Sequence, residues 1–511
     1  MTENRKGETV MKAKLLLLAI SYAVLSLLPC ASAQQAGHDS RALASFRNAL
    51  DQDGFDVRTG QSMSLDMWQQ YCNGVTSSAK YNNKGAPYLT AAVPHLPGDT
   101  TVIPYAFQLR PDEAMVLIGV TPPPETYFSY QPFLTNKFYA QPVPAELLTA
   151  PIQGCGGDPH CLDVGSSLGD TVNVATIKTL GPGPYNAPMV LIFTPDKGTD
   201  ARVRSALLKA GYPASILNTI VIPVSLANLG IGPGHDVLML LGRNAMWLNG
   251  AAGEAAGLAY LASLNTANSP ISVFRVTPKT FSAADLDPFP APELRVRGTG
   301  KTEMSLMGKL DEIRESVIGK YTEMGYVVAA EYTSAPGSYD GYDFIQQMKR
   351  AFLDCRDTIY VGAGAESFPD RYDIRLTDDE FMVVYGVNHT ATGKASYMNL
   401  NAYAKPSQLA IGSVFDTDFV HSADAYLDAG DPAASSMFAY KVSWQCGGED
   451  FCLQMSSGDC SRLQLDGPEH AADRANTPLA FGTRSYLEPG TSIGPAFTEV
   501  VYHRMIKFSR P

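Results

Sequence analysis

The sequence predicts an α+β protein made of two duplicated domains of β-sandwich or jelly-roll-like fold, with a helical connector between them and short helices before the first. Three observations support this prediction. One sequence segment occurs twice, short apolar runs with strand patterning are separated by turns rich in glycine and proline, and helical apolar spacing is confined to a few segments. Separate strands joined by such turns favour a sandwich over a parallel Rossmann sheet.

The composition is that of a folded, acidic protein. Of the 511 residues, 45% are hydrophobic and 18% are charged, which excludes wholesale disorder. The 51 acidic and 39 basic side chains give a net charge of −12. Such a surface repels phosphate groups, so we expect neither nucleic acid nor an anionic membrane as a partner.

Residues 1–33 are predicted to be a signal peptide. Lys12 and Lys14 precede an apolar core at 15–28, and the small residues 31–33 provide a cleavage site. Cleavage there would leave Gln34 as the mature N-terminus of a periplasmic or secreted protein without stable membrane insertion. A membrane anchor is the alternative, but the apolar run is short for a bilayer span. Lipid attachment at Cys30 is disfavoured because Pro29 precedes it.

Export places the cysteines in an oxidising compartment, where disulfides form. Cys155 and Cys161 flank a short Gly/Pro loop and are predicted to pair. A zinc site in this loop lacks the usual Cys-x-x-Cys spacing. We expect two of three cysteines in a later loop to pair, and at least one thiol to stay free because seven cysteines remain. The later three are Cys446, Cys452 and Cys460, and the others are Cys72 and Cys355.

The internal repeat is the most informative pattern. Segment 109–120 aligns with segment 376–387 at a constant offset, so that Gly119 matches Gly386 and Tyr130 matches Tyr397. Weaker matches follow in the same order along both halves. A duplicated domain is the simplest explanation.

The repeat and the helical patterns divide the chain. Helices are predicted at Ser40–Gln52, 64–73, 200–210, 251–264, 301–324 and 343–354, and apolar residues at spacings of three and four support the one at 301–324. The predicted parts are a helical segment at 34–96, a first β-domain at 97–300 with a helical insertion at about 200–270, a helical connector at 301–357 and a second β-domain at 358–511.

Two short segments resemble a known family. Residues 119–130, GVTPPPETYFSY, are similar to the G-x-x-P-P-x-x-x-F-W-S-x-T-x-Y segment of an exported bacterial family of unknown function. Residues 484–489, RSYLEP, are similar to its closing R-x-Y-W-P strand, although the family's tryptophans are missing here. The resemblance implies a pair of β-sandwich domains and no established reaction.

Familiar catalytic motifs are absent or lack their structural context. Segment 165–169 fits G-x-S-x-G, but strand-like residues follow Ser167, where a nucleophile elbow requires a helix. Ser77 and Lys80 match S-x-x-K without a partner motif. The glycine-rich turns contain proline and do not open helices, and no paired histidine motif occurs. We therefore predict no cofactor and no metal site from a local motif, and a metal held by residues distant in sequence stays an open alternative.

The loop after the second copy of the repeat carries the predicted catalytic residues. After Gly-Val, the first copy continues with prolines, whereas the second offers an amide, an imidazole, an ammonium and a phenol from Asn388, His389, Lys394 and Tyr397. Lys394 and Tyr397 could polarise a substrate oxygen while His389 transfers a proton. The alternative is a polar turn whose histidine and lysine face solvent.

A second group of residues near the connector is predicted to bind substrate. Arg297 and Arg356 could hold a carboxylate, with Asp357 and Tyr342 beside them. The alternative for the arginines is ion pairing between domains, and for the tyrosine it is a place in a core.

These residues lead to two hypotheses about function. The first is an exported hydrolase or lyase that acts on a small organic substrate by general acid/base chemistry at the interface of the two β-domains. The second is an exported ligand-binding or structural protein without catalysis. Unequal loops after the matched glycines favour the enzyme, because one copy would keep the chemistry and the other the structure. The sequence indicates neither a substrate nor an oligomeric state.

Overall fold

The structure is a computed structural model that describes residues 39–147, 155, 157–337, 340–365 and 372–511. The predicted signal peptide lies outside the described residues. Within these ranges, no helix is both long and apolar enough to cross a membrane.

The first repeat is a β-sandwich. Its described strands are β1 (Phe55–Thr59), β2 (Gln61–Leu65), β3 (Tyr88–Ala92), β4 (Ala106–Phe107), β5 (Ala114–Val120), β6 (Glu125–Phe138), β7 (Cys161–Ser167), β8 (Val172–Asn173), β9 (Pro188–Thr194), β10 (Leu217–Val221), β11 (Val237–Trp247) and β12 (Ile271–Pro278). The outer sheet has the order β1-β12-β5-β9-β10. The inner sheet has the order β2-β3-β11-β6-β7, with β4 beside β11 and β8 beside β6.

The second repeat is also a β-sandwich. Its described strands are β13 (Val327–Thr333), β14 (Ala335–Pro336), β15 (Thr358–Ala363), β16 (Phe381–Val387), β17 (Tyr397–Ala404), β18 (Leu409–Phe415), β19 (Met437–Ser443), β20 (Cys452–Gln454), β21 (Leu479–Tyr486) and β22 (Arg504–Ser509). The outer sheet has the order β13-β22-β16-β19-β20, and the inner sheet has the order β14-β15-β21-β17-β18.

The two repeats have the same topology. Strands β13 to β22 correspond in chain order and sheet position to β1, β2, β3, β5, β6, β7, β9, β10, β11 and β12. In both outer sheets the last strand pairs in parallel with its neighbour, β10 with β9 and β20 with β19, whereas the other pairs are antiparallel. The predicted duplication of the domain is therefore confirmed. The predicted match of Tyr130 with Tyr397 does not hold in the strand registers, because Tyr397 opens β17 opposite Tyr486, whereas Tyr130 lies inside β6 opposite Gly242.

The matched glycines have a steric role. Gly119 lies in β5 and Gly386 in β16, the middle strands of the two outer sheets. A Cβ atom at Gly119 would come within 2.2 Å of the carbonyl oxygen of Pro270, and one at Gly386 within 2.8 Å of Cβ of His503. In both repeats the chain that enters the next strand of the sheet passes too close for a side chain. This close approach accounts for glycine at both positions.

The sheets and helices form layers. In each repeat an apolar core separates the outer from the inner sheet. Helices cover the outer faces of both outer sheets. The inner sheets face each other, and the ring of Tyr486 stacks between those of Tyr127 and Tyr397 with centroid distances of 4.8 and 5.2 Å. The layer order is therefore helix, outer sheet, two inner sheets, outer sheet and helix.

The helices agree with the predictions in most places. They are α1 (Ser40–Gln52), α2 (Met67–Cys72), α3 (Lys197–Lys209), α4 (Gly250–Leu264), α5 (Met307–Glu323), α6 (Gly341–Gln346) and α7 (Ala471–Asn476). The predicted helix at 64–73 begins later because residues 61–65 form β2. The predicted helix at 343–354 ends early, and left-handed φ angles of 51° at Met348 and 53° at Phe352 follow. Segments 34–96 and 301–357 also supply strands, and the domain boundaries stay predictions.

Three disulfides join the described cysteines. Cys155 pairs with Cys161 and Cys446 with Cys452, which confirms both predicted local bridges. Cys72 pairs with Cys460 across 388 residues and ties the first repeat to the second. Cys355 remains a free, buried thiol, which confirms the odd cysteine. These bridges fit an extracytoplasmic location.

Candidate ligand-binding site

A cleft with a volume of about 600 Å³ lies between the inner sheet of the first repeat and one end of the inner sheet of the second. The first repeat contributes the ends of β2, β6, β7 and β11, and the second contributes loops at 373–375 and 405–408. Segments 76–80 and 350–353 complete the walls. The apolar lining side chains include Leu65, Met67, Ile103, Tyr105, Met239 and Phe352.

The polar part of the lining carries more positive than negative charge. Four cationic side chains line the cleft with two acidic ones, in a protein whose net charge is −12. Lys80 forms an ion pair with Asp163, and Arg375 forms one with Asp373 at 3.1 Å. The other two cations are Arg350 and Lys405. An amphipathic molecule with a negative group would match this lining.

Strained backbone is concentrated in the walls of this cleft and of a small chamber at its inner end. Left-handed φ angles are uncommon outside glycine and cost free energy. In the described chain, such residues in the two walls are Lys80, Tyr81, Phe352, Leu353 and Gln408, with φ between 53° and 60°. Hydrogen bonds to distant segments stabilise these backbone conformations. Leu353 N donates to Gly165 O at 2.7 Å, and Tyr81 N donates to Gln408 O at 2.9 Å.

The described residues contain no group of three His, Cys, Asp or Glu side chains that could hold a metal ion. The side chains that line the cleft include no histidine, glutamate or cysteine. The prediction of no cofactor stays a prediction.

His389 lies in the turn after β16 and is buried, with 2% of its surface exposed. Its Nδ1 lies 2.9 Å from a carboxylate oxygen of Glu303, which also accepts a hydrogen bond from the Thr392 hydroxyl. Burial acts to raise the pKa of Glu303, but the interaction with His389 and the hydrogen bonds from Thr392 and the Val501 backbone together outweigh it and hold that pKa below its usual value. A solvent-facing histidine, the alternative considered from the sequence, is wrong.

Lys394 is also buried and lies between two carboxylates. Its Nζ is 2.5 Å from Glu488 and 2.5 Å from Glu499, and it donates to the carbonyl oxygen of Lys301 at 3.0 Å. Burial acts to lower the pKa of Lys394, but hydrogen bonds to Glu488 and Glu499 outweigh it and raise the pKa above its ordinary value. A solvent-facing lysine is therefore wrong as well. These contacts tie the turn to the segments at 299–303 and 488–499.

Asn388 and Tyr397 have different neighbours. Asn388 is buried, and its amide donates to the carbonyl oxygen of Asp416 at 3.1 Å. The Tyr397 hydroxyl donates to Asn83 at 3.3 Å, inside the stack of tyrosines between the repeats. Burial raises the pKa of Tyr397 well above its ordinary value. The phenol is therefore neutral and lies in the interface between the two inner sheets.

Comparisons with known proteins leave the function open. No family model and no curated protein matches the sequence. An uncharacterized protein from Burkholderia cenocepacia has a TM-score of 0.35 and 9% identity, with 98% of this chain and 99% of that chain covered. A protein from Vibrio parahaemolyticus has a TM-score of 0.33 and 9% identity, with 91% and 98% covered. These likenesses carry no argument about ligand or activity.

The predicted arginine pair makes ion pairs within the protein. Arg356 lies 2.6 Å from Asp170 and 2.6 Å from Asp340, and Arg297 lies 3.5 Å from Asp340. Arg297 also lies over the ring of Phe497, at 5.2 Å from the centroid. These contacts favour the alternative considered from the sequence, ion pairing between parts of the chain.

Asp357 and Tyr342 lie in different environments. Asp357 is fully buried and accepts hydrogen bonds from Tyr127 at 2.8 Å and Asn173 at 2.9 Å. Burial raises the pKa of this carboxyl group. Tyr342 is half-buried and packs against the core of the first repeat. The role of these two residues in binding a substrate stays a prediction.

None of the eight predicted site residues lines the cleft. The cleft residues come from separate segments, and the sequence shows no pattern that links them. One signal was present, since Ser77 and Lys80 of the S-x-x-K match both line the cleft. Ser167 of the G-x-S-x-G match instead ends β7 and is buried, with its hydroxyl 2.7 Å from Asp354.

Proposed function

We propose that this is an exported binding protein that holds an amphipathic small organic molecule in the cleft between the repeats. The observation that carries the proposal is the cleft itself, about 600 Å³ with apolar walls and a few charged groups. Ligand pockets in proteins typically measure about 300–1,000 Å³ and combine apolar lining with a small number of polar anchors. The excess of cationic lining residues favours a ligand with a negative group.

The lining favours binding over catalysis. Covalent catalysis needs a nucleophile within hydrogen-bond reach of a base. The hydroxyl of Ser78 donates to Gln408 instead, and Lys80 pairs with Asp163. In the S-x-x-K match, Ser77 and Lys80 also lie outside any helix. The Thr135 hydroxyl likewise donates to the carbonyl oxygen of Val237, so neither hydroxyl is paired with a base, and such a cleft is suited to holding a molecule.

Titration with 8-anilinonaphthalene-1-sulfonate, an amphipathic anion whose fluorescence rises on binding, tests the proposal. We expect saturable binding at one site. Thr135→Trp places an indole in the cleft and should weaken binding at least tenfold, whereas Thr333→Trp, at an exposed strand position, should leave it unchanged. Equal affinity of Thr135→Trp and the wild type would refute the proposal, provided that both melt at similar temperatures.

The predicted acid/base enzyme is a second proposal, supported by the His389–Glu303 pair. A carboxylate that holds the imidazole by Nδ1 fixes its orientation, as the third member of a catalytic triad does. If His389 transfers protons, His389→Ala should lower turnover by about 10²–10⁴-fold in whichever ester, lactone, glycoside or amide assay shows activity. Full activity in a folded His389→Ala protein would exclude this chemistry. His421→Ala, at an exposed histidine, is the matched control.

A further inference from the structure

A second, smaller cavity lies at the inner end of the cleft and is here called the arginine chamber. Its volume is about 30 Å³, and it shares Leu65, Met67, Lys80, Phe352 and Leu353 with the cleft. The space suffices for one compact polar group. The side chains that line it include Arg243, Arg484 and Lys80 but no aspartate or glutamate.

The two arginines come from equivalent places in the two repeats. Arg243 lies on β11 and is in register with Tyr88 on β3. Arg484 lies on β21 and is in register with Tyr360 on β15. Strands β11 and β21 correspond in the duplication, as do β3 and β15. Each inner sheet therefore contributes one arginine with a neighbouring tyrosine.

Both guanidinium groups are buried without a carboxylate partner in the described chain. Arg243 is 3% exposed and Arg484 is 8% exposed, and neither forms an ion pair with a described residue. Nη1 of Arg243 has no hydrogen-bond partner among the described residues. Other buried arginines do have partners, such as Arg275 with Glu113 at 2.6 Å. An arginine stays charged when buried, and an uncompensated buried charge is costly.

Nearby titratable groups do not supply the missing negative charge. Burial raises the pKa of the Cys355 thiol, although Arg243 acts to lower it. Burial likewise raises the pKa of Tyr360 and Tyr486. These groups are neutral at neutral pH, so the described residues that line the chamber provide no counter-charge to the two arginines.

The strained wall residues orient the arginines. Arg243 donates from Nη2 to the carbonyl oxygen of Leu353 at 2.7 Å, and Arg484 donates from Nη2 to that of Tyr81. Leu353 and Tyr81 both have left-handed φ angles, of 60° and 53°. Backbone strain persists where the surrounding structure holds it and is concentrated at ligand sites. Here it places two carbonyl groups that fix the guanidinium groups in the wall of the chamber.

We infer that Arg243 and Arg484 bind the carboxylate head group of the ligand, whose apolar part lies in the adjoining cleft. The inference rests on the proposed binding function and specifies its ligand class as an amphipathic carboxylate. Guanidinium forks match the geometry of a carboxylate and form strong, charge-assisted hydrogen bonds with it. The shared lining residues make the chamber and the cleft neighbours, as one molecule with a polar and an apolar end requires.

Calorimetric titration of the full-length mature protein with three probes of equal chain length tests the inference. Octanoate should bind at least tenfold more tightly than 1-octanol, and octylammonium should bind more weakly than either. Arg243→Met and Arg484→Met should each reduce the affinity for octanoate at least tenfold and leave that for 1-octanol unchanged. Arg510→Met, at the exposed end of the chain, should change neither.

The melting temperature separates loss of binding from loss of folding. Since each Met variant removes a buried charge that has no carboxylate partner in the described chain, it should melt no lower than the wild type in the absence of ligand. Arg243→Lys and Arg484→Lys keep the positive charge but lose the paired N–H donors of the guanidinium group. They should therefore bind octanoate with intermediate affinity.

The possible failures are distinguishable. Equal affinities for octanoate and 1-octanol, both abolished by Thr135→Trp, would keep the binding function and overturn the head-group inference. A rise in melting temperature with chloride alone, absent in Arg243→Met and without a preference for octanoate, would show that the chamber holds a free anion and would also overturn it. Absence of binding by all three probes and by 8-anilinonaphthalene-1-sulfonate would overturn both.

Discussion

The disulfide between Cys72 and Cys460 should be the most stabilising of the three cross-links. It closes a loop across 388 residues, whereas Cys446–Cys452 spans 6. In the chain-entropy treatment, restraint of the unfolded state is worth about 6 kcal/mol for the long loop and about 2 kcal/mol for the short one. Replacement of Cys72 and Cys460 by serine should therefore lower the free energy of unfolding by several kcal/mol more than the same replacement of Cys446 and Cys452.

Guanidinium unfolding curves at equal protein concentration, followed by tryptophan fluorescence, measure the difference. Loss of the long bridge should also raise the slope, because the unfolded chain is then less compact and exposes more surface, whereas loss of the short bridge should change the slope little. The double-serine variant of the long bridge should also bind 8-anilinonaphthalene-1-sulfonate more weakly, because Cys72 anchors the chain that leads into cleft segment 76–80. An equal loss of stability in the two double variants would refute the argument that loop length sets the contribution of the bridge.

Three further predictions concern buried charge and processing. Lys394→Met should lower the free energy of unfolding, measured by chemical denaturation, by about 3–5 kcal/mol, because it leaves Glu488 and Glu499 without their cation. Lys441→Met, at a more exposed ion pair, should lower it by under about 1 kcal/mol. Equal losses in the two variants would contradict this prediction. Burial, with a smaller effect of His389, lowers the pKa of His503 from 6.5 to about 3. The unfolded chain therefore takes up a proton as pH falls below about 6.5 while the folded chain does not, and stability should fall by up to about 1.4 kcal/mol per pH unit in this window. His503→Phe should flatten that slope in unfolding curves at pH 7 and pH 5, and an unchanged slope would count against the assignment. Intact mass of exported protein should place the N-terminus at Gln34, and a mass that retains an acylated Cys30 would overturn the cleavage prediction.

The fold was predictable where one local pattern is sufficient. The match between segments 109–120 and 376–387 identified the middle strands of both outer sheets, because a buried strand with a sterically required glycine keeps its sequence pattern. Helix α1 was predicted at its observed bounds. Strands β1 to β3 were missed, because short strands near helices have no distinct periodicity.

The candidate site was not predictable in the same way. Lys80, Asp163, Arg350 and Lys405 meet only because the two inner sheets pack face to face, and no local pattern records that packing. The burial of His389 likewise depends on segments 299–303 and 488–501, which cover its turn. Sequence spacing shows which groups are present in a turn, whereas their exposure depends on what packs against it.

The equivalence of Arg243 and Arg484 has a consequence for how such a protein could arise. A chain with a single repeat would expose its inner sheet, and two copies could cover each other only with those sheets face to face across a twofold axis. The arginine of each subunit would then lie beside that axis, and the ligand would bind at the centre of a homodimer. Fusion of the two copies removes the need for identical halves. One side of the pocket could then acquire the Cys72–Cys460 bridge and the segment at 76–80 with Lys80, without a matching change on the other.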